Sequence, residues 1–181
     1  MRLFAGLAIP EPVRGNLRSL LNQLRPLAEF RWSPVENLHV TTKFVGEFPE
    51  ERIEELKDEL SRLAPVALDV SIRGLGWFPN AHRPRVFWAG VEGGDALREL
   101  AAATDDATAR LGIARETREY RPHLTLARMK PAPVPLDPIR RAVAALDSHD
   151  FGTFRPPGFV LYISSQGKYT SLAEFPLLTR P

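Results

Sequence analysis

The stretch Tyr120-Arg121-Pro122-His123-Leu124-Thr125-Leu126-Ala127-Arg128 guides the interpretation of this sequence, because it repeats an earlier part of the chain. The earlier copy reads Asn37-Leu38-His39-Val40-Thr41-Thr42-Lys43-Phe44. Each copy places His-x-Thr within an apolar run of residues that favour β-strands. Side chains alternate between the two faces of a strand, so the His and the Thr of each copy share one face. Two such strands, one from each half of the chain, can build one site from matching halves.

A single copy of this pattern is more simply explained as a half-buried strand histidine followed by an ordinary β-forming threonine. The chain has four histidines, however, and two of them carry a threonine at the same spacing in matching strand contexts. The coincidence favours a functional pair of strands. The candidate catalytic residues are His39, Thr41, His123 and Thr125. The remaining histidines, His82 and His149, lie in polar, loop-like stretches, and we interpret them as solvated.

Composition excludes several classes of site. At 181 residues, with 44% hydrophobic and 25% charged residues, the chain can bury a substantial core. The absence of cysteine excludes disulfides, thiolate zinc sites and cysteine nucleophiles. No signal-peptide pattern and no apolar run near the roughly 18 residues of a membrane span is present, so we expect a cytoplasmic protein without membrane contact. A net charge of +2 permits an anionic partner without requiring one.

Hydrophobic periodicity and the positions of Gly and Pro predict a chain with more strands than helices. The predicted strands are 3–9, 30–32, 37–45, 66–72, 85–91, 120–128, 159–165 and 169–175. The predicted helices are 11–27, 49–63, 95–111 and 139–146, with a turn-rich loop at 74–83 and a connector at 131–138. We therefore expect an α+β protein with mainly antiparallel sheets and helices on their outer faces.

No shift in composition marks a flexible linker between the two halves of the chain. We expect one domain, 1–181, made of two intimate lobes that share a central cleft. Each lobe contributes one His-x-Thr-x strand, 37–45 from the first and 120–128 from the second.

The chemistry that suits two histidines and two threonines is acid–base catalysis at phosphorus. The chain has no Gly-x-x-x-x-Gly-Lys loop and no His-Glu-x-x-His pair, and two histidines without a carboxylate cluster are weak support for a metal site. With an ordinary pKa of about 6.5, one imidazole can be neutral while the other is protonated. In-line displacement needs a base and an acid on opposite sides of the phosphorus, and threonine hydroxyls can donate to its oxygens. A cyclic phosphodiester fits, because its leaving alkoxide needs a proton; we expect no metal or other cofactor.

The two His-x-Thr-x strands, with Arg-Pro before the second His and Leu-Ala-Arg after its Thr, resemble the two-histidine phosphoesterases. Further stretches resemble their bacterial and archaeal RNA 2′,3′-cyclic phosphodiesterase branch, also called 2′-5′ RNA ligase-like. These stretches are Arg2-Leu3-Phe4-Ala5, Trp77-Phe78-Pro79, Arg83-Pro84-Arg85-Val86 and Glu174-Phe175-Pro176-Leu177. The resemblance covers nearly the whole chain, and its motifs are specific as an ordered set.

This resemblance implies a bilobal fold with pseudo-twofold symmetry and metal-independent hydrolysis of RNA-terminal 2′,3′-cyclic phosphates to 2′-phosphates. It implies His39 as general acid on the departing 3′ oxygen and His123 as base on water, with the two threonines on the phosphate. Arg128 resembles a substrate contact of the family. Strand alternation, however, places Arg128 on the opposite face of the strand from His123. The 164–168 stretch is shorter than the family pattern, which leaves its nucleotide contacts open.

Other residues are weaker candidates for the cleft. Lys43 shares a predicted strand face with His39 and is a candidate phosphate contact. Phe4 and Phe44 are expected to pack in the core, and Tyr169 to reach the cleft. Arg83 and Arg85 are interpreted as surface charge, with RNA backbone contact as the alternative.

Three functions remain compatible with the sequence. The first is the phosphodiesterase, acting on RNA with 2′,3′-cyclic phosphate ends or on cyclic nucleotides, as a monomer. The second is a non-catalytic single-stranded RNA-end binding module with the same fold. The third is 2′-5′ RNA ligase activity, the reverse of related chemistry. The two intact His-Thr pairs favour the enzyme.

Overall fold

Two antiparallel sheets form the framework of the protein, a computed structural model of which describes residues 1–179. The first sheet contains β1 (Arg2–Ala8), β3 (His39–Glu47), β8 (Gly158–Ser165) and β9 (Lys168–Pro176), in the order β3-β1-β8-β9. The second contains β2 (Arg31–Trp32), β4 (Val70–Phe78), β5 (Val86–Glu92), β6 (His123–Arg128) and β7 (Asp150–Phe154), in the order β2-β6-β5-β4-β7. The expected α+β class with antiparallel sheets is confirmed.

The helices are α1 (Glu11–Leu24), α2 (Ile53–Ser61), α3 (Gly94–Arg110) and α4 (Asp137–Ala144), with 3-10 turns at Arg25–Leu27, Val35–Asn37 and Glu50–Arg52. The apolar stripe of α1, with Val13, Leu17, Leu20, Leu21 and Leu24, is buried. Although α1 follows β1, it packs against β7 of the five-stranded sheet, and α3 follows β5 but packs against β3 of the four-stranded sheet. This exchange of helices joins both sheets through one hydrophobic core.

The largest difference from the predicted elements is β4. The sequence predicted a strand at 66–72 followed by a loop from Gly74, whereas the strand runs from Val70 to Phe78. Gly74 has a φ of +81° at an irregularity of the β4–β5 ladder, and its N–H donates to the His149 carbonyl. A Cβ on Gly76 would lie 2.1 Å from the Trp88 ring. These glycines therefore serve a bulge and a close packing contact inside a strand, not a turn.

Further differences from the predicted elements concern β7 and the start of β6. The edge strand β7 was not predicted, because only Phe151 of its five residues is buried and Gly152 has a φ of +122°. The second His strand begins at His123 and not at residue 120. Pro122 lacks the N–H that a ladder hydrogen bond requires, which fits a strand start after it.

Candidate active site

A cleft of about 1180 Å³ is lined by both His strands. His39 and Thr41 reach it from β3, and His123, Thr125 and Arg128 reach it from β6. The structure therefore brings together the four residues that the sequence nominated as catalytic.

Both His strands carry a β-bulge two to three residues after the histidine. In β3, Thr41 and Lys43 oppose the consecutive residues Gly6 and Ala5 of β1, so Thr42 is the extra residue. In β6, Thr125 and Ala127 oppose the consecutive residues Trp88 and Phe87 of β5, so Leu126 is the extra residue. The burial of successive side chains is the same in the first six residues of both strands. The two halves of the site are thus built to one pattern.

Each bulge reverses the alternation of faces beyond it. Arg128 consequently lies on the same face as His123 and Thr125, and lines the cleft. In β3 the equivalent position is Phe44, which is 58% exposed and also lines the cleft, so its predicted core position is wrong. The prediction that Lys43 shares a strand face with His39 is wrong for the same reason.

Lys43 is 2% exposed and is held by groups beneath the cleft. Its Nζ donates to Asp105 Oδ1 at 2.6 Å and to the Ala114 carbonyl at 2.7 Å. Burial by itself raises the pKa of Asp105, but the hydrogen bonds from Lys43 and from the Glu116 amide outweigh it and hold the pKa below its ordinary value. The ammonium thus forms a buried ion pair between β3 and α3, and its predicted phosphate contact is not part of this arrangement.

His39 is held at both ring nitrogens. Nδ1 lies 2.7 Å from the Asn37 carbonyl, which fixes the proton on Nδ1 because a carbonyl only accepts. Nε2 lies 2.8 Å from Thr41 Oγ1, so in the neutral ring it accepts from that hydroxyl. The Phe4 ring lies 4.5 Å and the Tyr169 ring 5.2 Å from the imidazole, centroid to centroid. This histidine therefore sits against an aromatic wall.

His123 repeats the same anchoring on the other strand. Its Nδ1 donates to the Arg121 carbonyl at 2.8 Å, two residues upstream, as in His39. The Phe78 ring packs edge-on against the imidazole with centroids 5.0 Å apart. In both neutral rings Nε2 is the nitrogen free to take a proton, so both histidines can perform acid–base chemistry through the same atom.

The pKa values of both histidines lie below their ordinary value. Burial is the largest cause of the lowered pKa of His39, and the charges of His123 and Arg128 lower it further. Burial also lowers the pKa of His123, with Arg128 contributing in the same direction. Because the two rings repel each other's second proton, the pair favours one proton shared between two sites over two.

At each bulge the carbonyl of the threonine accepts a side-chain hydroxyl from a distant part of the chain. The Tyr120 hydroxyl donates to the Thr41 carbonyl at 2.8 Å, and the Ser33 hydroxyl donates to the Thr125 carbonyl at 2.8 Å. Burial raises the pKa of Tyr120, which keeps its phenol protonated as a donor. Neither Tyr120 nor Ser33 was singled out from the sequence, since only the folded chain brings them to these carbonyls.

The remaining candidates are placed as follows. Tyr169 lines the cleft, as predicted, and so does Phe78. The 166–167 turn is anchored to the segment before His39, because the Asn37 side-chain amide donates to the Gly167 carbonyl at 2.7 Å. Among the other histidines, His82 is exposed, whereas His149 is half-buried with Nε2 donating to the Val143 carbonyl at 2.9 Å, which corrects its predicted solvation.

Residues 1–179 contain no group of three or more His, Asp or Glu side chains placed to hold a metal ion. Among these residues no helix combines the length and the hydropathy that a membrane span requires.

Comparison with known proteins identifies the family of this chain. A family profile described as LigT like Phosphoesterase matches residues 7–88 and 91–168. The chain is 31% identical over 168 residues to the RNA 2′,3′-cyclic phosphodiesterase of Methanocaldococcus jannaschii, covering 91% of this chain and 92% of that protein. It is 37% identical to the protein of the same name from Thermus thermophilus, over 76% of this chain and 73% of that protein.

Solved structures show the same fold. The protein TT0787 of Thermus thermophilus superposes with a TM-score of 0.78 at 31% identity, covering 98% of each chain. Escherichia coli LigT complexed with 3′-AMP superposes with a TM-score of 0.75 at 24% identity over 97% of each chain, a likeness of fold. With its profile match over most of the sequence and its paired His-x-Thr strands, this chain belongs to the LigT-like phosphoesterase family.

Proposed function

We propose that this protein hydrolyses RNA-terminal 2′,3′-cyclic phosphates to 2′-phosphates by acid–base catalysis with His39 and His123. The observation that carries the proposal is the matched anchoring of the two imidazoles. Each Nδ1 donates to a backbone carbonyl, so Nε2 is the atom of each ring that gains or gives up a proton; Nε2 of His39 accepts from the Thr41 hydroxyl in the neutral ring. The names of the relatives, RNA 2′,3′-cyclic phosphodiesterase, support the same activity.

In this proposal His123 is the general base. Its neutral Nε2 takes a proton from water, and the water oxygen forms a bond to phosphorus. The P–O3′ bond breaks on the opposite side, and the departing 3′ oxygen takes a proton from Nε2–H of His39. The phosphate stays on the 2′ oxygen. A return of the proton from His123 to His39 through solvent restores the starting state.

The surroundings of the two histidines support this division of roles. The ribose carries both the leaving 3′ oxygen and the retained 2′ oxygen, so this assignment requires only that the 3′ oxygen face His39. Phe44 and Tyr169 line the cleft on the side of His39, and both are exposed enough to offer an aromatic face on which a base can stack. Phe4 is buried, as the sequence predicted, and packs against the His39 ring. Arg128 lies on the face of His123, where its positive charge suits the phosphate.

The threonines and Arg128 are proposed to bind the non-bridging phosphoryl oxygens. Thr41 and Thr125 each stand two residues after a histidine on the same face, so both hydroxyls reach the phosphate from opposite walls. Charge develops on these oxygens in the transition state, where preorganised donors have their largest effect. Protonation of His39, disfavoured in the free enzyme by burial, is favoured once the anionic substrate is bound.

The test is to incubate the protein with a nucleoside 2′,3′-cyclic phosphate in excess EDTA and to separate the 2′- and 3′-monophosphates. We expect turnover that EDTA does not reduce, with the 2′-phosphate as product. Binding without turnover would replace the proposal by an RNA-end binding module. A 3′-phosphate product would contradict the assigned leaving oxygen, and loss of activity that a divalent ion restores would contradict the two-histidine mechanism. Formation of 2′-5′ linkages from paired RNA ends would identify a ligase.

A further inference from the structure

The basic side chains that line the cleft or lie directly beneath it fall into two groups. Three of them are neutralised by carboxylates: Lys43 by Asp105, Arg98 by Asp95 and Arg121 by Glu119. Three others have neither an ion pair nor a side-chain hydrogen bond within residues 1–179: Arg85, Arg118 and Arg128. An exposed guanidinium with no partner beside a catalytic cleft is a candidate for binding an anionic part of the substrate.

A fourth unpaired guanidinium adjoins this second group. Arg31 of β2 is directly opposite Arg128 of β6 in the antiparallel ladder, so their side chains share one face of the sheet. Both are exposed, and neither has an ion pair among the described residues. Like charges placed directly opposite each other destabilise a sheet. The fold thus tolerates a repulsion that an anion between the two guanidiniums would relieve.

Arg85, which immediately precedes β5, lies on the other side of β6 from Arg31. It is level with Met129 and not with Arg128, and it belongs to the group because it lines the cleft. Arg128 pairs with Val86 of β5, and the Met129 N–H donates to the Arg85 carbonyl at 2.9 Å. We call Arg31, Arg85 and Arg128 the arginine cluster. Arg128, which is proposed to contact the cyclic phosphate, is its inner member, and Arg31 and Arg85 are its outer members. Since the bulge in β6 turns Arg128 onto the face of His123, the arginine cluster extends directly from the catalytic pair along the end of the five-stranded sheet.

We propose that the arginine cluster is a second phosphate site, which binds the phosphate on the 5′ side of the ribose that carries the cyclic phosphate. The inference rests on the proposed function. In an RNA 3′ end with a cyclic phosphate, every other phosphate lies on the 5′ side, so a second anion in the cleft has no other source. Guanidiniums bind phosphate oxygens through paired, charge-assisted hydrogen bonds. The enzyme then distinguishes an RNA end from a free cyclic nucleoside phosphate.

The experiment compares three substrates that share one terminal nucleoside. They are adenosine 2′,3′-cyclic phosphate, the same compound with a 5′-phosphate, and a dinucleotide ending in the same cyclic phosphate. For the unmodified protein we expect a kcat/KM at least about tenfold higher for the second and third substrates, from one charge-assisted contact or more. The ratio of kcat/KM between phosphorylated and unphosphorylated substrates is the readout.

Arg31→Gln and Arg85→Gln are the test variants, and each should lower that ratio by roughly tenfold. The control is Arg73→Gln on β4 of the same sheet, which removes the same charge from an arginine paired with Glu92 and Asp150, away from the cleft. Its ratio should equal that of the unmodified protein. Thermal unfolding separates binding from structural effects, because Arg31→Gln removes a like-charge repulsion and should not lower Tm.

A ratio near one in the unmodified protein would overturn the second phosphate site. So would an equal loss on all three substrates in the Arg31 and Arg85 variants, since that result indicates a general effect on the cleft. Both results leave hydrolysis itself intact. Absence of turnover on every substrate would instead overturn the proposed function.

Discussion

The Tyr120 hydroxyl donates to the Thr41 carbonyl at 2.8 Å and thereby joins the segment before one histidine to the strand of the other. Thr41 Oγ1 contacts Nε2 of His39, and the Arg121 carbonyl next to Tyr120 holds Nδ1 of His123. A continuous path of one short peptide segment and three hydrogen bonds therefore links the two imidazoles. Their spacing decides whether one phosphorus can lie between base and acid.

Tyr120→Phe should lower kcat on a cyclic nucleotide by about tenfold, because loss of the hydroxyl lets the two histidines move apart while the ring still fills its place. Ser33→Ala, which frees the Thr125 carbonyl in the same way, should have an effect of similar size. Steady-state kinetics with separate kcat and KM is the measurement. Thr153→Val, which removes a hydroxyl contact with Ser71 between exposed strands, is the control and should leave kcat unchanged. An unchanged kcat in Tyr120→Phe would contradict a positioning role.

Replacement of His39 or His123 by alanine should lower the rate on a cyclic nucleotide by about 10²-fold or more, if both act as proposed. The two variants should differ on an aryl phosphodiester with a good leaving group, because that group departs without a proton. His39→Ala should then recover much of its loss, whereas His123→Ala should not, since water must still be deprotonated. His82→Ala is the control, as His82 is exposed and does not line the cleft. Rescue of His123→Ala alone would reverse the assignment of acid and base.

Thr41→Val and Thr125→Val should lower kcat on both of these substrates. Contacts to the non-bridging oxygens are needed whichever group leaves, so the loss, on the order of 10²-fold, should not depend on the leaving group. The measurement is kcat for each variant on the cyclic nucleotide and on the aryl diester. A loss confined to the cyclic nucleotide would show that the threonine acts through its histidine and not on the phosphate.

The rate should depend on pH with a maximum on the acidic side of the ordinary histidine value. Burial lowers the pKa values of both histidines, and the charge of Arg128 lowers both further. The bell-shaped profile of kcat/KM against pH should therefore have its maximum below about pH 6.5. Arg128→Gln should shift both limbs towards higher pH, because a nearby positive charge is lost. Arg128→Lys, which keeps the charge, should leave the limbs in place. Limbs that do not move in Arg128→Gln would show that its charge does not act on the histidines.

Asp105→Asn should lower the free energy of unfolding by up to roughly 3–5 kcal/mol, because it leaves the buried Lys43 ammonium with only the more distant carboxylate of Glu116, at 3.8 Å, among the described residues. Lys43→Met should cost less, since Asp105 keeps its contact with Arg115 at 3.8 Å and the methionine fills the site. Urea unfolding of both variants measures the difference. A loss of unfolding free energy in Lys43→Met that equals or exceeds the loss in Asp105→Asn would contradict this prediction.

The same ion pair predicts how stability depends on pH. The pKa of Asp105 is lowered in the folded protein, so its contribution is present above the ordinary value of 3.8 and is lost as pH falls below it. The difference in unfolding free energy between the unmodified protein and Asp105→Asn should therefore become smaller in acid. A difference that stays constant between pH 6 and about pH 3 would contradict the linkage.

Local sequence patterns located the two His-x-Thr strands and predicted the class of fold. His39 with Thr41 and His123 with Thr125 could be placed on shared faces because strand alternation is a local property of the chain. The amphipathic stripe of α1 could be located for the same reason, since helical periodicity also depends only on nearby residues. The expected chemistry followed from the residue types in those two strands.

Tertiary structure decided which residues beyond the first threonine face the cleft. Alternation predicted Lys43 towards the cleft and Phe44 and Arg128 away from it, and a bulge in each strand reversed this order. A bulge depends on the register with the neighbouring strand, which no local pattern in β3 or β6 contains.

The partners of the site were equally beyond the reach of the sequence. The Tyr120 hydroxyl donates a hydrogen bond to Thr41, which is 79 residues away in the sequence, and the Ser33 hydroxyl donates to Thr125, which is 92 residues away. Lys43 meets Asp105 across 62 residues. Local patterning specifies what each segment exposes, whereas these contacts arise only when the two sheets pack and leave a carbonyl or an ammonium that must be satisfied.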